Sequence, residues 1–130
     1  MKFAKWAFTI AGIWGVLIIP PMYFMEAKIG REQPPAITHP EYFYGFAGVT
    51  LAWQIAFLII GHDPIRFRPL MIPSMVEKFS FVIAASILFA QHRIGAQIFG
   101  ASMVDLLLGT MFVISFVATR SEAKRRTAAA

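Results

Sequence analysis

Four apolar stretches, over about residues 3–24, 42–60, 75–90 and 96–118, leave this chain few ways to fold. A helix rises about 1.5 Å per residue and a bilayer's hydrocarbon layer is about 30 Å thick, so roughly 20 residues make one crossing, with tilt absorbing small differences. Hydrocarbon offers no water to backbone N–H and C=O groups, so each stretch has to satisfy its own by coiling into a helix. The expected fold is all-α: a four-helix transmembrane bundle over residues 1–120, both termini cytoplasmic, then a short basic tail over 121–130. The composition agrees, since 15% of the 130 residues are charged, against about 25% in an ordinary soluble domain. Lys2 and Lys5 ahead of an apolar stretch resemble a signal peptide. Pro20-Pro21-Met22-Tyr23-Phe24 follows where a cleavage site of small residues would stand, so the first span is read as retained.

The basic residues set the orientation, because Lys and Arg flanking short loops stay in the cytoplasm. One side of the four spans collects Lys2, Lys5, Arg66, Arg68, Lys78, Arg120, Lys124, Arg125 and Arg126; the other holds only Lys28, Arg31 and Arg93. Both termini are therefore expected inside, and the short loop between spans two and three, with His62, Asp63, Arg66 and Arg68, is expected to act as a topology lock. The formal charge of +5 is explained by this placement at the span ends and gives no sign of a nucleic-acid partner. Ser74-x-x-Glu77 and Thr38-x-x-Glu41 have the spacing of capping boxes at the starts of spans three and two. Residues 26–40 form the long outer loop, whose first part is expected along the membrane surface.

The absence of cysteine excludes thiol–disulfide chemistry and thiolate-bound clusters. His39, His62 and His92 all lie at span ends, so none stands at the depth that an intramembrane haem or pigment would need. No metal site, catalytic set or cofactor is expected; an outer group of His39, Glu41 and His92 has no specific ligand spacing. Asp105 is different, because it lies mid-span, where a charged carboxylate costs about 2.5–3.5 kcal/mol even on the forgiving insertion scale. With Ala101 and Gly109 it forms a helical stripe that lets a neighbouring helix approach. Gln54 shares a face with Thr50, and Glu77 one with Ser80 and Ala84. These faces are expected to line one polar interior patch opening toward Arg66 and Arg68. Within it Asp105 is expected to be neutral or hydrogen-bonded, with Gln54 as its partner. Lys78 is expected to snorkel to the headgroups instead.

HPEYFYGFAGVTLAWQ (39–54), DPIRFRPLMIPSMVEKFSF (63–81) and VDLLLGTMFVISF (104–116) resemble a group of uncharacterised small bacterial four-helix membrane proteins, and more loosely the DoxX-like group. The resemblance covers about residues 3–118 and implies a four-helix fold in a bacterial inner membrane, without implying an activity. A sterol-isomerase-like family shares the layout of four helices with a buried carboxylate, but its catalytic residues have no counterparts here.

The expected function is that of an accessory or structural subunit, or of a bundle that binds a hydrophobic ligand such as a lipid or quinone. The expected partners are the bilayer, other membrane subunits or a second copy of the chain. The alternative is a membrane enzyme acting on a lipid-like substrate, with Asp105 or Glu77 as acid or base. A proton-coupled small transporter ranks lower, because the first span has no acid before Glu26. The orientation has a direct test. With an impermeant thiol reagent on intact cells, Gln33→Cys should label and Ser121→Cys should not; the opposite pattern would reverse the assignment.

Overall fold

The computed structural model describes residues 1–130 and contains helices without strands. Helices α1 (Lys2–Met22), α3 (Pro40–His62), α4 (Met71–Ala90) and α5 (Ala96–Ala118) are the long ones. Each of the four is long and apolar enough to cross a membrane, α4 together with the 3₁₀ turn Arg68–Leu70 that leads into it. Between them lies α2 (Glu26–Glu32), and the tail forms α6 (Arg120–Ala128). An even number of antiparallel spans brings Lys2 and Ala118 to the same end, called here the terminal end.

The helix starts differ from expectation for reasons of local chemistry. Span three begins at Met71, so Ser74 lies inside α4, where its hydroxyl donates back to the Leu70 carbonyl at 2.6 Å. The Ser74/Glu77 capping box therefore does not form. Pro73 is compatible with this earlier start because it is the third residue of α4, and the first four N–H groups of a helix have no intrahelical acceptor in any case. Likewise α3 starts at Pro40, a favoured first position, with His39 as N-cap and no side-chain cap, so the Thr38/Glu41 box is also absent. Pro20 and Pro21 close α1, whose final turn tightens to a Tyr23 N–H bond to the Pro20 carbonyl at 3.2 Å.

The packing is uneven. Helix α1 lies between α3 and α5, α4 packs on α5, and α3 and α4 scarcely touch although they are consecutive spans. Glycines permit the closest contact, between α1 and α3. A Cβ on Gly12 would stand 2.7 Å from Leu58 Cδ2 and 2.9 Å from the Gln54 carbonyl oxygen, and one on Gly61 would press on Thr9 and on the Lys5 carbonyl at 3.2 Å. On the other helix pair, a Cβ on Gly109 would meet the Phe79 ring at 3.0 Å and Lys78 Cβ at 3.2 Å, so the expected small-residue stripe of span four does admit a neighbour.

A cluster of eight buried apolar residues lies in the terminal half. Ala4, Phe8, Ala11, Phe57, Ile60, Met71, Leu108 and Phe112 form it. At its centre Phe8 stacks on Phe112 with ring centroids 4.0 Å apart, and Phe57 meets Phe112 edge-on at 4.9 Å. This aromatic plug closes the bundle at that level; beyond it α1 stays against α3 and α4 against α5, while α3 and α4 scarcely meet. Gly12→Val should lower stability in detergent by about 1–3 kcal/mol, since overpacking against a backbone carbonyl cannot relax through a rotamer change. Gly45→Ala in α3, whose Cβ would meet nothing within 4 Å, should be neutral or mildly stabilising. Equal melting temperatures for Gly12→Val and wild type would refute the close-packing account.

Candidate functional site: a polar floor in an open interhelical cleft

Above the plug, the weak contact between α3 and α4 leaves a cleft of about 950 Å³ lined by all four long helices. This is the upper part of the range for small-molecule sites. Its upper walls are apolar, with Trp14 and Ile18 from α1, Phe46 and Val49 from α3, Phe81 from α4 and Val104 from α5. Phe46, Val49 and Val104 remain well exposed, so these walls face whatever surrounds the helices as well as the cleft.

The floor is polar and centres on Lys78, which is only 4% exposed. Its ammonium donates to Asp105 Oδ1 at 3.0 Å, lies 3.3 Å from Glu77 Oε2, and sits 5.2 Å from the centre of the Phe57 ring, the upper face of the plug. Lys78 starts about 10 Å along the axis from Met71, and Asp105 about 13 Å from Ala96, so the pair lies well within both spans. Snorkelling is not what Lys78 does. It turns inward because a carboxylate lies within reach on α5 and because Gly109 lets its stem pack there. The expected Gln54–Asp105 bond is therefore replaced by a Lys78–Asp105 ion pair. Lys78 also leaves the set of flanking cations that sets topology, yet the remaining asymmetry keeps its sign.

Gln54 is nearly as buried, at 2%. Its Nε2 donates to the Thr50 carbonyl at 2.9 Å, and its side chain occupies the space that the missing Cβ of Gly15 leaves on α1. Ser80 donates to the Glu77 carbonyl at 3.2 Å. One acceptor is left over: Glu77 Oε2 is buried and has no hydrogen-bond partner. It is near Lys78, but that ammonium is aligned on Asp105. Within the floor, then, Glu77 Oε2 has a counter-charge in Lys78 but no hydrogen-bond donor.

The five interior candidates, Thr50, Gln54, Glu77, Ser80 and Asp105, do come together on this cleft. The expected opening toward Arg66 and Arg68 is wrong, because the Phe8/Phe57/Phe112 plug separates the floor from the terminal end. Lys78 is the residue missed at the sequence level. Its signal was the spacing Met71, Ser74, Lys78, Val82, Ala85, a buried helical stripe in which a lysine is out of place.

The loop residues form a separate group. Asp63 accepts the Arg66 backbone N–H at 3.1 Å and pairs with the Arg126 guanidinium at 3.3 Å. That amide foremost, with Arg126, holds the Asp63 carboxyl below its ordinary value. The Arg66 guanidinium lies over the Phe67 ring, 5.5 Å from its centre, and His62 ends α3 exposed. Arg68 reaches the end of α5, donating to the Phe116 carbonyl at 2.8 Å and to Thr119 Oγ1 at 3.3 Å. At the opposite end His39 meets Glu41 at 3.1 Å, and no group of three metal-ligating side chains forms anywhere.

No protein-family model matches the chain, and neither curated proteins nor solved structures give a match.

Removing one partner of a buried charge pair leaves the other uncompensated, which typically costs about 3–5 kcal/mol, whereas removing both is far milder. Lys78→Met should therefore destabilise the detergent-solubilised protein by about that much, and Lys78→Met/Asp105→Leu should recover a large part of the loss. If Lys78→Met melts like wild type, the ion cluster does not support the fold.

Proposed function

We propose that this protein binds one bilayer amphiphile, a lipid or a quinol, in the cleft between α3 and α4, with the ligand's hydrogen-bond-donating head on the polar floor and its apolar body along the upper walls. One observation carries the reading: Glu77 Oε2 is buried without a hydrogen-bond partner on the polar floor of a cleft whose upper walls are apolar. An unmet buried acceptor typically costs about 1–3 kcal/mol, and a hydroxyl or amine head would remove that penalty.

The shape supports the same conclusion. Because α3 and α4 barely meet, an amphiphile moving in the membrane plane reaches the floor laterally and need not leave hydrocarbon. The proposal includes the orientation expected from the basic residues, both termini cytoplasmic in a bacterial inner membrane. The cleft then opens in the outer half of the bilayer. Binding rather than chemistry is the role assigned here, because the Ser80 hydroxyl donates to the Glu77 carbonyl and the Lys78 ammonium is paired with Asp105, so neither is set up as a nucleophile.

The test is purification in mild detergent followed by mass spectrometry of the retained lipids. Wild type should retain one species enriched over the bulk membrane. Ala84→Trp, at an exposed position on the cleft rim, should lose it while keeping the melting temperature. Glu77→Gln should weaken retention by about fivefold, the equivalent of one hydrogen bond. An identical lipid complement in wild type and Ala84→Trp would overturn the proposal, as would recovery of a stoichiometric protein partner in place of a lipid.

A further inference from the structure

A second concavity lies at the terminal end, beyond the plug, and owes nothing to the cleft. It measures about 770 Å³ and is bounded by the end of α5, by Arg68 and by one face of α6. Three cations border it, Arg68, Arg120 and Lys124, and no acid does. On α6, Arg120 and Lys124 are one turn apart and share a face. Neither forms an ion pair, in contrast to Arg126 two positions further on, which is spent on Asp63.

Arg68 is fixed rather than free. Its guanidinium donates through Nη2 to the Phe116 carbonyl at 2.8 Å and through Nε to Thr119 Oγ1 at 3.3 Å, and it lies over the Phe116 ring with Cζ 3.7 Å from the centroid. Thr119 Oγ1 gives its own proton to the Ser115 carbonyl at 2.8 Å, so it is free to accept from Arg68. The Nη2 bond satisfies a carbonyl at the C-terminus of α5, and with the bond to Thr119 it accounts for Arg68's position. Neither bond uses the Nη1 donors. The Asp63–Arg126 pair then ties α6 to the loop that carries Arg68, which brings the two halves of the basic rim together.

We infer that this pocket binds a phosphate group, with Arg68 as the preordered donor and Arg120 and Lys124 supplying the remaining positive charge. A guanidinium matches phosphate geometry, and one already immobilised loses little further freedom on binding. The surroundings favour a phosphate carried by a membrane lipid over a soluble one. Phe116 and Val117 from the last turn of span four form the apolar side of the pocket, and Val117 is 65% exposed on the outer surface of that helix. An acyl chain can therefore follow span four while the headgroup phosphate lies among the cations. Basic pockets at the ends of spans are known to take anionic headgroups in this way.

Native mass spectrometry of the detergent-solubilised full chain, titrated with phosphatidylglycerol or phosphatidylcholine, tests the inference. Wild type should prefer phosphatidylglycerol. Arg120→Gln and Lys124→Gln should each lower that preference by about fivefold, the usual contribution of one basic residue near a charged headgroup. The control is Lys2→Gln/Arg125→Gln, which removes the same charge as the double variant Arg120→Gln/Lys124→Gln but from outside the pocket, and should leave the preference intact. All of these residues are exposed, so folding is not at issue. Equal losses in the two double variants would mean diffuse attraction and overturn the site; no loss in either would do the same. Inorganic phosphate added in phosphatidylcholine micelles separates the sources. Displacement of bound phosphatidylglycerol supports the shared phosphate chemistry. Binding of inorganic phosphate with the same dependence on Arg120 and Lys124, but no phosphatidylglycerol binding, would overturn the lipid as its source.

Discussion

A lysine ammonium held inside a bundle of membrane-length helices must be given counter-charge, and much of this structure follows from how Lys78 obtains it. Desolvating such an ion costs several kcal/mol even after relaxation, so a position without acids would drive the side chain out toward water. Here Asp105 supplies a carboxylate at 3.0 Å and Glu77 a second at 3.3 Å, and the face of Phe57 occupies one remaining side of the ammonium. Bringing Lys78 to Asp105 requires α4 and α5 to be close at that level, which Gly109 permits. The mid-span aspartate, otherwise costly, thereby becomes the contact that sets the relative register of α4 and α5.

The other helix pair is held by different means. Between α1 and α3 the contact is steric: Gly12, Gly15 and Gly61 remove the Cβ atoms that would keep the backbones apart, and the Gln54 side chain fills the space at Gly15. Dispersion attraction rises steeply at such distances, and in lipid it replaces the hydrophobic driving force that two apolar helices lack. The two pairs are then joined where Phe8 of α1 stacks on Phe112 of α5. Because both fixed contacts and the aromatic plug lie toward the terminal end or at mid-span, nothing holds α3 against α4 beyond them. The cleft is the geometric consequence.

Much of this was legible in the sequence. The four spans follow from apolar length alone, and span four was read with the bounds it has, Ala96–Ala118, since Gly95 and the polar residues after it leave no ambiguity. The convergence of Thr50, Gln54, Glu77, Ser80 and Asp105 was legible from helical spacing, because a polar residue in a span has few places to point. What failed was pairing and direction. A four-residue spacing matches a capping box whether or not the helix begins there, and Ser74-x-x-Glu77 suggested a later start than Met71. That shift moves Lys78 more than one turn deeper into its helix, from a place where snorkelling is easy to one where it is not. The opening of the patch was also misjudged, because the stacking of Phe8, Phe57 and Phe112 is a tertiary fact; each is an unremarkable apolar residue within its own helix.

The position of the plug also bears on which functions this bundle is built to perform. A carrier has to expose its polar site alternately to two sides, so the layer between site and far side must open and close. Here that layer is closely packed, with Phe8, Phe57 and Phe112 fully buried and the Gly12 and Gly61 contacts beside them. Opening it would separate stacked rings and part helix backbones that side-chain rotation cannot replace. The cleft side has no such closure, since α3 and α4 are already apart and the floor lies open between them. A site sealed on one side and laterally open on the other suits a ligand that enters and leaves through the bilayer. The packed layer offers no polar route from the floor to the terminal end, and that is the physical ground on which binding is proposed here in place of transport.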